Sequence, residues 1–340
     1  MPPAETPVRP SWLKGLAFGI YLIVAGAVVL GTVEAAARLG FPNSTHRDMR
    51  RRIANVRNAP SVIVLGDSLS VGEWPGLTPF TELLRERFSR DGVHLINLAT
   101  PGTGTLHQLD RYRKYGVGLQ PRLVVVNYYV GNDVTDTIST LQSDAAWKPL
   151  VRNLSSASYF ANVLIELRQA FHTRARLADI NTETLPEAHR PINPFLADVA
   201  RRNPQLLRQN LLLVDDPSRA AWARNTAALL ELRELVTSTG ATFVVNVFPH
   251  PVQVHRRYHE FFQALGFEVD ERYLTEDLPQ RAMVDFCRQH DIACLDFLPV
   301  FRASSSVELF LDRDDHWNAA GHRLVFDTAW QFLRDTRAPG

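Results

Sequence analysis

Four short segments carry residue types suited to attack on a carbonyl. Ser68 follows an apolar run, Ser61 to Leu65 (SVIVL), across a Gly66-Asp67 step. A serine at the point where a strand turns toward a helix stands at the mouth of the sheet. The backbone N–H groups after such a turn can face a developing oxyanion. Gly66 permits the tight turn, and the same position also suits a serine that caps a helix N-terminus. A second apolar run ends in Asn97-Leu98-Ala99-Thr100-Pro101-Gly102-Thr103-Gly104. There Gly102 offers an unhindered N–H to a ligand, or completes a plain Pro-Gly turn. A third run ends in Gly131-Asn132-Asp133, where the Asn132 amide can donate to an oxyanion or form an Asx turn.

The fourth segment is Asp312-Arg313-Asp314-Asp315-His316-Trp317-Asn318-Ala319-Ala320-Gly321-His322, just before the last helical stretch. An imidazole is suited to take a proton from a serine, provided a carboxylate orients its other nitrogen. Asp314, two residues before His316, can point to the same side of an extended segment. Asp312 is the reserve for that role. The competing reading is an acidic loop that caps the helix, with Asn318 as N-cap. Carboxylates beside two histidines also admit a metal, but His316 and His322 are six residues apart, a poor spacing for two ligands on one helix face. Asp67, Asp133 and His322 read as loop supports. His250, after the fourth strand, reads as a surface histidine before it reads as a substrate contact.

These segments need a scaffold that brings them to one edge. Strands are expected at Ser61 to Leu65, Val93 to Leu98, Leu123 to Val130, Thr242 to Phe248 and Ile292 to Phe297. Helices are expected at Thr78 to Asp91, Leu106 to Lys114, Ser158 to Leu177, Ala220 to Thr239, Leu278 to His290 and Ala319 to Asp335. Gly240 closes the fourth of these helices. Near-continuous apolar strands alternating with helices predict an α/β fold, a parallel sheet of about five strands covered on both faces. Ligands of such sheets sit at the carboxyl ends of the strands, where the four segments fall. Residues 138–218 break the alternation and read as an insertion, either a lid or a solvated connector.

Ahead of residues 61–337, Gly15 to Val33 is a run without a charge, long enough to cross a bilayer as a helix. The division is a tail at 1–14, an anchor or signal segment at 15–37, a basic linker at 38–60 and the α/β body. Trp12 and Lys14 suit the interface before the run. Ala35, Ala36 and Ala37 would suit a cleavage point, but the run is longer than a usual signal core, and a retained anchor is the expectation. Arg9 and Lys14 precede the run, and Arg38, Arg47, Arg50, Arg51 and Arg52 follow it, so charge counting points the body inward. Lys plus Arg is 37 and Asp plus Glu is 36, a formal net charge of +1, which offers no basic surplus for a nucleic acid. Cys287 and Cys294 lack metal-site spacing and read as two free thiols, unless export lets them pair.

The order Gly66-Asp67-Ser68-Leu69, then Gly102, then Gly131-Asn132-Asp133, then Asp314 and His316 before the last helix resembles the SGNH/GDSL hydrolase superfamily. The resemblance covers about residues 60 to 335, less the insertion, and implies a flavodoxin-like three-layer α/β/α fold. It implies Ser68 as nucleophile and His316 as base. The oxyanion hole would comprise the N–H groups of Ser68 and Gly102 and the Asn132 side chain. The family's orienting aspartate usually lies three residues before the histidine; here Arg313 occupies that position, which leaves Asp314 as the choice. No metal or cofactor is implied. The implied reaction is hydrolysis of carboxylic esters, or transfer of the acyl group to another hydroxyl from the same acyl-serine. A binding protein that kept the fold is the non-catalytic alternative. A membrane segment ahead of such a domain resembles bacterial cell-envelope members acting on acylated glycans or lipids. That implies a periplasmic body, against the arginine count.

Overall fold

Buried β-branched runs become the sheet, and amphipathic runs become its cover. The computed structural model describes residues 11–40, 49, 53–54, 56, 59–72, 76–142, 158–178 and 193–336. The chain divides into two compact units, Met1–Met49 with Ala146–His172, and Arg50–Ala145 with Thr173–Gly340.

The smaller unit holds helix α1 (Ser11–Gly40). Within it, Ile20–Gly40 is long and apolar enough to cross a membrane. The side chains of Trp12 and Lys14, and the residues Arg47 and Arg50 to Arg52, lie outside the description.

The larger unit begins with β1 (Ser61–Leu65), the one-turn helix α2 (Ser68–Val71) and α3 (Phe80–Arg90). Next come β2 (His94–Asn97), then α4 (Thr105–Arg111) running into a wider π turn over Tyr112–Gly116, then β3 (Leu123–Tyr129) and α5 (Asp133–Gln142). Helix α6 (Tyr159–Ala178) belongs to the smaller unit as far as His172, and the larger unit continues with α7 (Pro194–Arg202), α8 (Leu206–Leu212), α9 (Asp216–Thr237) and β4 (Thr242–Phe248). The chain closes through α10 (Pro251–Val254), α11 (Arg257–Leu265), α12 (Leu278–Gln289), β5 (Ala293–Asp296), α13 (Leu298–Ala303) and α14 (Ala319–Thr336).

All five strands are parallel, in the order β2-β1-β3-β4-β5. This is the flavodoxin-like winding of a three-layer α/β/α fold. Its strand order reverses between β1 and β3, and the crevice beyond that point is where such sheets take ligands. One sheet face, through Val62, Val64, Val125, Val244 and Phe248, packs in one core with Phe80, Leu84 and Phe88 of α3 and Val325, Ala329 and Leu333 of α14. Alternation turns Tyr128 to the other face, where its ring meets Trp222 of α9 edge-on at 6.0 Å.

Of the expected insertion, residues 143–157 and 179–192 lie outside the description. Its Pro- and Asn-containing part forms α7 and α8 in place of an irregular connector. Asn210 of α8 is buried and accepts from the first N–H groups of α5, Val134 at 3.1 Å and Thr135 at 3.2 Å. Long-range capping of this kind leaves no trace in local periodicity.

Candidate functional site

Ser68 is presented by a turn that has no room for a side chain. A Cβ on Gly66 would fall 2.8 Å from Ser70 Cβ and 3.1 Å from Asn127 Cβ. Asp67, and not Ser68, caps α2, its Oδ1 accepting from Leu69 N at 3.0 Å. The capping alternative therefore belongs to the neighbour, and Ser68 is the first helical residue with its hydroxyl outside the cap.

A row of amides, two of them buried, holds this turn. Asn97 Nδ2 on β2 donates to Ser70 O at 2.9 Å, and Asn127 Nδ2 on β3 donates to Ser70 Oγ at 2.9 Å. Asn246 Nδ2 on β4 donates in turn to Asn127 Oδ1 at 2.9 Å. Asn127 and Asn246 are register partners, and each is 1% exposed. Such amides stay in an apolar core only when hydrogen-bonded. The sequence carried a signal for them, a lone Asn in each of two otherwise apolar strands (LVVVNYY and TFVVNVF), that strand reasoning passed over.

His316 is held by its neighbours. Trp317 is fully buried, edge-on to Phe248 at 4.7 Å and to Phe80 at 5.8 Å. His316 O accepts from Leu311 N at 2.8 Å, and Asn318 Oδ1 caps α14 through Gly321 N at 3.0 Å. The ring then bridges two partners. Nε2 lies 2.8 Å from Ser68 Oγ, and Nδ1 lies 2.5 Å from Asp314 Oδ1.

The backbone route to Asp314 differs from extended alternation. Residues 314–316 form a bend, and Arg313 before them has φ +58°. Asp314 Oδ1 also accepts from His316 N at 3.0 Å, closing an Asx-type turn. Its Oδ2 accepts from Asn193 Nδ2 at 3.1 Å, at the start of α7. Asp312 points away, with its side chain 79% exposed and paired to Arg313.

A second carboxylate, which sequence reasoning left out, reaches the same nitrogen. Asp315 Oδ1 is 3.1 Å from His316 Nδ1, and Asp315 Oδ2 accepts from the Tyr129 hydroxyl at 3.1 Å. Its adjacency to His316 was the available signal. Burial alone would lower the basicity of His316; the Asp315 charge and the Asp314 hydrogen bond outweigh it and raise the pKa to about 11. Burial would likewise raise Asp315, but the facing His316 holds it well below the usual carboxylate range. Tyr129 is pushed up by burial and by the Asp315 charge, so it stays a donor. Asp314, Asp315 and His316 also bring ligand atoms within 4.8 Å of one another and are the group among the described residues that could hold a metal. The histidine nitrogen facing that group is the Nδ1 already shared by both carboxylates.

The strand order brings the two loops with Gly102 and Asn132 to either side of Ser68, because β2 and β3 both flank β1. Thr100 N donates to Gly66 O at 3.0 Å, tying the Gly102 loop to the Ser68 turn. Gly102 has φ +65°, a conformation glycine adopts without strain. Asp133 is buried and joins the two loops, accepting from Thr105 Oγ1 at 2.6 Å and from Tyr129 N at 2.8 Å. Burial raises the Asp133 pKa well above the ordinary value and raises Asp67 and Asp136 to about 7.

His250 is no surface residue. It is 2% exposed, lies near-parallel to the Tyr129 ring at 6.0 Å and meets Phe262 edge-on at 4.7 Å. Burial lowers its pKa to about 4. His322 is buried too, and its Nδ1 accepts from Phe80 N at 3.4 Å.

No family model matches this chain, and no curated protein does. Among solved structures it is similar to TesA, at 15% identity and TM-score 0.39 over 81% of this chain and 98% of that one. It is also similar to a GDSL-like lipase from Bacteroides thetaiotaomicron, at 10% identity and TM-score 0.44 over 86% and 98%. A third is Axe2, an acetylxylan esterase from Geobacillus stearothermophilus, at 12% identity and TM-score 0.42 over 82% and 95%. At these values the likenesses carry no argument about chemistry, which rests on the site itself.

Proposed function

We propose that this chain is a serine esterase of the SGNH/GDSL type, cleaving acyl or acetyl esters through an acyl-serine intermediate. One observation carries the reading: Ser68 Oγ stands 2.8 Å from His316 Nε2 while Asp314 stands 2.5 Å from Nδ1 of the same ring. A serine hydroxyl is a weak nucleophile until a base takes its proton, and a base needs its other nitrogen oriented. Ser68 Oγ attacks the acyl carbon and its proton passes to Nε2. The N–H groups of Ser68 and Gly102, with the Asn132 amide, hold the oxyanion. The bond to the leaving alcohol then breaks as Nε2 returns the proton to the alcohol oxygen. Water attacks the acyl-serine, giving a proton to Nε2; the bond from the acyl carbon to Ser68 Oγ then breaks as Nε2 returns that proton to Oγ, and the carboxylic acid leaves. No cofactor enters these steps.

The substrate class is an acylated glycan or lipid of the cell envelope, with the body periplasmic. Its support is the apolar helix α1, which would tether the site to a membrane surface. A fluorophosphonate probe tests the mechanism directly. Wild type is expected to label, and Ser68→Ala and His316→Ala to stay unlabelled. A folded wild type that takes no label would overturn the serine mechanism.

A further inference from the structure

Helix α6 starts beside the C-terminal part of α1. Glu34 is the first charged residue after the uncharged run Gly15 to Val33. A carboxylate at that point must sit at the edge of the hydrocarbon core, because burying its charge in lipid is costly. Glu34 there caps α6. It accepts from Tyr159 N at 2.8 Å, from Phe160 N at 3.0 Å and from the Ser158 hydroxyl at 3.0 Å. Tyr159 and Val163 are buried beside Ala37 of α1, and the Arg38 guanidinium lies 5.5 Å from the Tyr159 ring centre.

From that fixed start α6 shows an exposed apolar stripe. Phe160, Leu164, Leu167 and Phe171 are 37%, 49%, 50% and 71% exposed. Steps of four, three and four residues put them on one side of a helix. Arg168 and Arg174 fall on opposite sides of that stripe at about 100° per residue, where their stems can lie along apolar surface with the charge in the headgroups. Glu166, Arg168, His172 and Arg174 make α6 too polar to span, while a stripe flanked by arginines suits a helix lying in the interface.

We propose that α6 is a second membrane element, lying in the plane of the bilayer with Phe160, Leu164, Leu167 and Phe171 in the acyl-chain boundary and its arginines on anionic headgroups. The occupant of the stripe is lipid, because the cap on Glu34 delivers α6 to the level of the headgroups. Helix α6 would thus add an interfacial contact to the membrane attachment that α1 makes. The inference rests on α1 remaining in the bilayer.

The test uses the full chain in vesicles of phosphatidylglycerol and phosphatidylcholine in equal parts. The photo-crosslinker p-benzoylphenylalanine replaces Leu167, Phe171 or, as the control off the stripe, His172. Lipid adducts at positions 167 and 171 are expected to exceed those at 172 by about fivefold, given the shallow burial of an interfacial helix. Crosslinks from 167 and 171 mainly to peptides of this chain would overturn the inference, since the stripe would then be covered by the body or by a second copy. Equal lipid yields at all three positions would overturn it as well. Alkaline carbonate extraction separates the two levels. A chain that leaves the membrane removes the anchor and α6 together; a chain that stays, with no lipid adducts on the stripe, sinks the α6 inference alone.

Discussion

The Tyr129 hydroxyl donates to Asp315 Oδ2 at 3.1 Å, and the other oxygen of that carboxylate lies 3.1 Å from His316 Nδ1. The histidine is therefore oriented from two sides, by Asp314 through an Asx-type turn and by Asp315 through a tyrosine on β3. Where one acid alone holds a catalytic histidine, converting it to the amide costs about 10⁴ in kcat. Here Asp314→Asn is expected to lower kcat by only about 10²-fold, because Asp315 still holds the tautomer. The double variant with Asp315→Asn is expected to fall by about 10⁴-fold. Hydrolysis of a nitrophenyl ester by the single and double variants measures this. Single and double losses of equal size would show that Asp315 does not share the task.

A base must be neutral to accept a proton, and the two carboxylates raise His316 to about 11. The acid limb of kcat/KM is therefore expected well above neutrality, with activity rising as pH rises. Removing the Asp315 charge takes away a group that favours the imidazolium, so Asp315→Asn should move that limb to lower pH. A pH profile for both proteins reads this, and a limb that stays in place would count against the assignment.

Burial raises Asp67 and Asp136 from the ordinary 3.8 to about 7. The folded state then holds protons that the unfolded chain has released across that window. The contribution is fully present below the unfolded value and is lost as pH rises through about 7. Each group corresponds to about 4 kcal/mol when fully ionised. Urea unfolding is expected to show lower stability at pH 8 than at pH 5, with the difference reduced in Asp136→Asn. A pH-independent midpoint would contradict it.

Asn127→Leu removes the donor to Ser70 Oγ and strands Asn246 Nδ2 in the core. Leaving a buried donor unmatched costs about 1–3 kcal/mol, and the lost bond adds about 1. The variant should unfold at lower urea and label more slowly with a fluorophosphonate, because its Ser68 turn is less firmly held. Unchanged labelling in a destabilised protein would confine the amide row to a structural role.

The strands and most of the long helices were legible in the sequence, because a buried parallel strand and an amphipathic helix each write a local period. So was the placement of Ser68, Gly102 and Asn132 in loops after the first three strands, and of His316 in the loop before the last helix. Local pattern has no term for contacts between distant segments, and tertiary structure alone decided those. It set Asp314 against the ring through the bend at residues 314–316, turned Asp312 to solvent and brought Asp315 to Tyr129, 186 residues away. It buried His250 where its position after a strand suggested surface. It formed α7 and α8 from a segment with no clear period, because Asn210 finds the open N–H groups of α5 only after the sheet has brought them together. Composition determined which residues must leave water, and packing determined which polar groups they meet there.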